Sequence, residues 1–248
     1  MKPQLLLFPF ICLVYLSTAA QQKEGDPKLT EIWRPEPKVV APGKTAADAP
    51  ADAIVLFDGG NLSSWENSSH KGEVTWKAES NILTVTAGNG NIQTKKGFAD
   101  CQLHIEWRTP SAVKGDGQGR GNSGIFLMCL YELQVLDSYN NRTYSNGQAG
   151  SIYKQLIPLA NPTRPPGEWQ TYDVVFTAPR FKADSSLQSP ARITVLLNGV
   201  LVQNNAVLWG PTENIGIPAY KMHGDKEPLM LQDHGNPTSF RNIWIREL

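Results

Sequence analysis

Three observations predict an all-β fold, an antiparallel β-sandwich of the jelly-roll kind. Short runs with apolar–polar alternation recur from Ala53 to Leu248, and clusters of Gly, Asn, Asp and Pro separate them. No stretch of helical length carries an apolar period of 3.6 apart from Leu5–Leu16. About ten such runs in roughly 195 residues match a single two-sheet domain.

Residues 1–20 read as a secretory signal: Lys2 supplies the positive start, Leu5–Leu16 the apolar run, and Ser17–Ala20 the small residues of a cleavage region. The run is too short to read as a membrane span, and no Cys follows the cleavage region, so a periplasmic or secreted mature chain is expected. Residues 21–52, rich in Pro, Ala, Lys and Asp, form an extended arm in which Ile32 and Trp33 are candidates to tack it to the domain.

The domain is expected over residues 53–248. Ile54–Phe57 opens it and closes on Asp58-Gly59-Gly60, which favours a turn over a structural calcium site. Thr75–Ala78 and Ile82–Thr86 form a hairpin across Glu79-Ser80-Asn81. Strands follow at Gln102–Thr109, Ser123–Leu136, Thr171–Thr177 and Arg192–Leu197. An Asn198-Gly199 turn then leads into Val200–Asn204, the strongest hairpin signal in the chain. Leu229–Gln232 and Phe240–Arg246 complete the set. Two long irregular segments, Tyr139–Trp169 and Trp209–Pro228, have the length of loops that shape binding sites.

The 23 basic and 23 acidic residues cancel, which argues against a nucleic-acid partner. Cys101 and Cys129 are the only cysteines of the expected mature chain, and their positions favour two reduced, buried thiols over a disulfide. Trp65, Trp169 and Trp244 read as core.

Two rows of polar side chains stand out. Strand side chains alternate faces, so Glu132 and Gln134 point together, away from Tyr131, Leu133 and Val135. In Gln102–Thr109, His104, Glu106 and Arg108 likewise oppose Leu103, Ile105 and Trp107. Both rows are richer in charge and amide than ordinary solvent-facing strands, and together they predict the floor of a polar cleft. Near the C-terminus Gln232 and His234 share a face while Asp233 points away. Asp137 is expected to cap the turn at Ser138–Asn141.

Five segments carry a family resemblance: Leu56–Trp65 (LFDGGNLSSW), the GNSGIF…YELQVLDSY stretch, Gly167–Phe181 (GEWQTYDVVFTAPRF), the LNGVLV hairpin and the terminal LQDHGNPTSFRNIWIREL. In order and spacing they resemble the 3-keto-disaccharide hydrolase family, from Ala53 to Leu248. The resemblance implies a concanavalin-A-like jelly roll of the lectin/glucanase type, export, and a glycoside or oligosaccharide substrate whose sugar ring carries a ketone at C3.

A C3 ketone acidifies the C2 proton, so removal of that proton expels the C1 substituent and water adds afterwards. The reaction needs a base, an oxyanion stabiliser and an acid. Glu132 or Glu106 is the candidate base or acid, and Arg108 and His234 are candidate oxyanion stabilisers. Gln134, Gln232 and Lys154 are candidate sugar-binding groups. His104 is a further candidate contact, although a solvated or hydrogen-bonded role suits it better. No cofactor is identified, and the sequence leaves open a divalent metal approached by His104, Glu106, Glu132 and His234. Laminarinase-type jelly rolls carry Glu-x-Asp-x-x-Glu on one strand, with the outer carboxylates as a catalytic pair. Here the stretch reads Glu132-Leu-Gln134-Val-Leu-Asp137, which weakens a conventional retaining mechanism. A non-catalytic carbohydrate-binding module is the alternative from another class.

Overall fold

The alternating runs become strands in the computed structural model, which describes residues 25–248. The expected signal at residues 1–20 lies outside the described residues. Fifteen strands form among those described: β1 (Ile54–Phe57), β2 (Trp65–Asn67), β3 (Lys77–Glu79), β4 (Ile82–Thr84), β5 (Ile92–Phe98), β6 (Cys101–Arg108), β7 (Ser123–Leu127), β8 (Tyr131–Val135), β9 (Gln170–Thr177), β10 (Arg180–Phe181), β11 (Leu187–Ser189), β12 (Arg192–Leu197), β13 (Val200–Val207), β14 (Glu227–Leu231) and β15 (Ser239–Glu247). Among the described residues helix is confined to three single 3₁₀ turns.

An eight-stranded antiparallel sheet runs β13-β12-β9-β6-β15-β4-β3, with β1 also pairing to β15. A five-stranded sheet runs β2-β5-β14-β7-β8, and β10 and β11 pair separately. The inward rows of the two sheets make the core. Leu103, Ile105, Trp107, Tyr172 and Phe176 from the larger sheet meet Ile125, Tyr131, Leu133 and Leu231 from the smaller. Each such side chain stabilises the fold by roughly 1.5–3 kcal/mol on burial. Tyr131 packs on Phe176 with ring centroids 5.7 Å apart, and the Tyr172 hydroxyl donates to the Gln134 carbonyl at 2.7 Å, tying sheet to sheet.

The two-residue turns fall where expected. Ser80 and Asn81 (φ 51° and 63°) join β3 to β4, and Asn198 and Gly199 (φ 53° and 79°) join β12 to β13. The expected single strand Ser123–Leu136 is instead a hairpin. It reverses at Met128-Cys129-Leu130, with Met128 and Cys129 at φ 55° and 58° and the Leu130 N–H donating to the Leu127 carbonyl at 3.1 Å. Cys129 therefore sits in a turn, and both cysteines are free thiols. Burial pushes the Cys101 thiol up to about 12. Strands β2, β5, β10 and β11 lie outside the expected set.

Residues up to Val39 and residues from Val40 onward form two units. In the first, Asp26 caps the Pro27–Thr30 turn through the Lys28 N–H, and Trp33 Nε1 donates to Glu31 Oε2 at 3.1 Å. In the second, residues 40–52 belong with the sandwich. The Ala47 carbonyl accepts from Trp244 Nε1 (2.9 Å) and Asn242 Nδ2 (3.0 Å), and Arg246 Nε lies 2.9 Å from both Asp52 carboxylate oxygens.

Candidate active site

Glu132 and Gln134 project from β8 onto the outer face of the five-stranded sheet, as alternation requires. A cleft of about 320 Å³ lies over them, lined by Asn122, Phe126, Glu132, Gln134, Tyr153, Thr212, Asn214, Gln232 and His234. Four sequence-predicted residues, Glu132, Gln134, Gln232 and His234, thus meet in one place. Gln232 and His234 arrive because the Gln232 N–H donates to the Gly124 carbonyl (3.0 Å), extending the β14–β7 pairing by one residue.

The two long loops build the walls and also fix the Glu132 backbone. Its N–H donates to Thr212 Oγ1 (2.9 Å) from one loop, and its carbonyl accepts from the Tyr153 N–H (3.1 Å) of the other. The 150–153 segment continues along the free edge of β8. Gln134 N–H donates to the Ser151 carbonyl (3.0 Å), and the Gln134 carbonyl accepts from the Gly150 N–H (3.2 Å). This covers an edge that would otherwise expose unpaired backbone groups. It also explains why Glu132 is only 4% exposed on an outer face.

Room for the Glu132 carboxyl comes from Gly124 on β7. A Cβ there would lie 2.6 Å from Glu132 Oε1 and 2.7 Å from Phe126 Cε2, so only glycine fits without displacing one of them. Gln134 is the nearest polar neighbour. One end of its amide lies 3.2 Å from Glu132 Oε1 and 3.1 Å from the Ser123 carbonyl, and the NH₂ group turned that way donates to both. Among the described residues no basic side chain forms an ion pair with Glu132, and burial pushes its carboxyl up to about 8.

The remaining lining groups suit a hydroxylated ring. Gln232 Oε1 is buried without a hydrogen-bond partner among the described residues, so a sugar hydroxyl donating to it removes an energetic penalty. Phe126 offers an apolar face beside Glu132. Tyr153 hydrogen-bonds through its hydroxyl to Tyr144 (2.7 Å). Burial, that bond and the nearby Glu132 carboxylate all push the Tyr144 hydroxyl above its usual range. Lys154 does not line the cleft itself. Its Nζ donates to the carbonyl (2.6 Å) and Oδ1 (2.9 Å) of Asn214, joining the two loops.

Glu106, Arg108 and His104 are elsewhere. They lie on the outer face of the eight-stranded sheet, on the opposite side of the core from Glu132, because β6 and β8 belong to different sheets. His104 is buried, stacks on Trp244 at 5.3 Å, and pairs through Nδ1 with Asp173 at 2.7 Å. Glu106 pairs with Arg241 Nε at 2.6 Å and accepts from Asn242 Nδ2 at 3.0 Å. Burial opposes charge on His104, but hydrogen bonds to Asp173 and Glu106 outweigh it and raise its pKa to about 9. The His104 hydrogen bond, with help from Asn242 and Arg241, holds Glu106 down at about 2. Arg108 and Arg241 flank Trp169, their guanidinium carbons 4.7 Å and 4.1 Å from its ring, so Trp169 is a partly exposed platform and not core. The four residues considered for one metal are thereby divided between two faces. Among the described residues no three His, Cys, Asp or Glu side chains gather as a metal site needs.

Asp137 is also withdrawn from the cleft. Its carboxylate is buried against Arg120 Nε (2.6 Å) and accepts the Tyr139 N–H (3.2 Å), while the Asp137 carbonyl accepts from Asn141 Nδ2 (2.7 Å). Asp233 accepts from the Gly90 and Gly235 N–H groups and stays out of the site. Among the described residues Glu132 is therefore the one carboxylate lining the cleft.

A sequence profile for the 3-keto-alpha-glucoside-1,2-lyase-like domain matches residues 52–246. The chain belongs to this family. Among solved structures it is similar to a candidate glycosyl hydrolase from Parabacteroides distasonis ATCC 8503, with 52% identity, a TM-score of 0.85, and 90% of this chain and 97% of that one covered. A second candidate glycosyl hydrolase from the same organism shares 20% identity at a TM-score of 0.56, over 79% of this chain and 94% of that one. At that identity the likeness speaks for the sandwich alone, and the family's lectin-like jelly roll is the fold described above. No curated protein matched.

Sequence reasoning missed Asn122, Phe126, Tyr153, Thr212 and Asn214 as lining residues. Tyr153, Thr212 and Asn214 sit in loops whose length marked them as site-forming without naming a residue. Asn122 and Phe126 were hidden by the unrecognised hairpin.

Proposed function

We propose that this chain is an exported carbohydrate-active enzyme that cleaves the glycosidic bond of 3-keto-glycosides, with Glu132 as the base. The single observation carrying this reading is a cleft whose one carboxylate is desolvated and unpaired by any cation. Conventional retaining or inverting hydrolysis uses two carboxyl groups across the scissile bond, and Asp137 is committed to Arg120. A bond made labile by a ketone needs one base, donors for the developing oxyanion, and a proton for the leaving oxygen.

Glu132 removes the C2 proton, and the electron pair forms the C2=C3 enediolate. Collapse regenerates the C3 ketone and expels the C1 oxygen, leaving a C1=C2 double bond. Water adds at C1 and Glu132 returns a proton to C2, so the net change is hydrolysis. We assign His234 and the Asn122 amide as donors to the enediolate oxygen and Gln232 as the acceptor of a ring hydroxyl, while Gln134 spends its amide N–H groups on the Glu132 carboxyl and the Ser123 carbonyl. Tyr153, relayed to Tyr144, is the proposed donor to the leaving oxygen. A carboxyl titrating near the working pH is well matched to accepting and returning a proton. A sugar-binding module gains nothing from burying such a group without a partner.

The test is incubation with a 3-keto-disaccharide and with its unoxidised parent. Cleavage of the ketone form only is the expected result. Cleavage of the parent at a similar rate returns the protein to the conventional glycosidases, and binding without products makes it a module.

A further inference from the structure

Beside the cleft lies a second pocket of about 180 Å³, whose walls include Pro110, Ala112, Val113 and Pro237 and whose polar residues include Arg120 and Asp137. Two chain segments pass from one cavity to the other. Asn122 lines the cleft and Gly121 the pocket; His234 lines the cleft and Asn236 the pocket. Consecutive Cα atoms are only about 3.8 Å apart, so the partition is one or two residues thick. A hydrogen bond from the Gly121 N–H to Asn236 Oδ1 (3.1 Å) ties the two segments together at their base.

The chemistry of the two cavities differs. The cleft offers an unpartnered acceptor and several amides and hydroxyls. In the pocket several polar groups are already engaged: Arg120 Nε with Asp137 (2.6 Å), Arg120 Nη2 with the Tyr139 carbonyl (2.9 Å), and Asn236 Nδ2 with the His234 carbonyl (3.3 Å). Lys114 is exposed to solvent. A second sugar would find few partners for its hydroxyls there, and burying them unpaired is unfavourable. Aliphatic walls with engaged polar groups suit a flat apolar group.

We infer that this pocket is a leaving-group subsite for an apolar, aromatic aglycone. The inference rests on the proposed function for its orientation: a monosaccharide seated over Glu132 has one large substituent, at C1, and that substituent is what the pocket receives.

The test separates binding from turnover. Affinities of phenyl and methyl glucosides of one anomeric configuration are measured by calorimetry for the wild type and for Val113→Asp, a substitution on the exposed wall that leaves the Glu132 cleft intact. The expected result is roughly tenfold tighter binding of the phenyl compound, lost in Val113→Asp. Turnover of the matching 3-keto-glucosides then shows the same preference in kcat/KM, with the methyl compound unchanged by the substitution. Equal affinities, or a phenyl advantage that survives both Val113→Asp and Ala112→Trp, overturns the subsite. Phenyl-selective binding without turnover of either ketone leaves the subsite standing and removes the proposed reaction.

Discussion

Glu132 is the proposed base, and its environment dictates how its protonation follows pH. Burial raises its carboxyl to about 8 against an ordinary value of 4.5. As a base it must be ionised, so kcat/KM should climb with pH and level off above about 8. Glu132→Gln should lower turnover by roughly 10²–10⁴-fold and remove that rising limb. A profile that falls through pH 8 instead assigns Glu132 as the acid. Stability follows the same proton in the opposite direction. Between 4.5 and 8 the unfolded chain releases this proton while the folded one holds it, so native stability declines across that window and is flat above it. Alternation along β8 made Glu132 and Gln134 legible as a pair, and the same rule placed Gln232 with His234. Alternation could not say that His104, Glu106 and Arg108 face the other way, since it fixes which side of a strand a residue takes and not which sheet the strand joins.

Strands and loops divide the work differently from the sequence expectation. The run GIFLMCLYEL (residues 124–133) has no Gly or Asn at its reversal, because Met128 and Cys129 themselves adopt the left-handed conformation. Turn chemistry therefore gave no signal, and one long strand was expected where the hairpin of β7 and β8 forms. Strand β5 was missed because its exposed Lys95 and Lys96 interrupt the apolar pattern. The β6–β9–β15 region holds a buried polar network of structural use. His104 charged between Asp173 and Glu106 contributes stability fully below pH 6.5, and that contribution is lost as pH rises through about 9. The Glu106 contribution is present above 4.5 and lost as pH falls toward about 2. Glu106→Gln should therefore cost about 1–3 kcal/mol of unfolding free energy near pH 6, read by chemical denaturation, with kcat/KM unchanged. Loss of turnover in a fully folded Glu106→Gln protein contradicts the division into two faces.

The sandwich as built uses each outer face for a different end. The larger sheet is tied down by residues 40–52 through Ala47 and Asp52, while the smaller sheet carries the cleft under two loops joined by Lys154 and Asn214. Fold class and jelly-roll type were readable from alternation and turn residues, and family membership followed from five ordered motifs, whereas about ten strands were expected and fifteen form among the described residues. Strand order across two sheets was not readable, since it depends on pairings between segments far apart in sequence, such as β6 with both β9 and β15. That order is what leaves Glu132 alone in its cleft, and the mechanism follows from that solitude. The direct measurement is cleavage of a 3-keto-disaccharide in deuterated water, with product analysis at C2 at early times and a no-enzyme control. Proton removal by Glu132 followed by water addition predicts one solvent deuteron at C2 of the released 3-keto-sugar, at a rate lost in Glu132→Gln. A product that keeps its original C2 hydrogen through every turnover, together with no slowing of cleavage when the substrate carries deuterium at C2, contradicts the account.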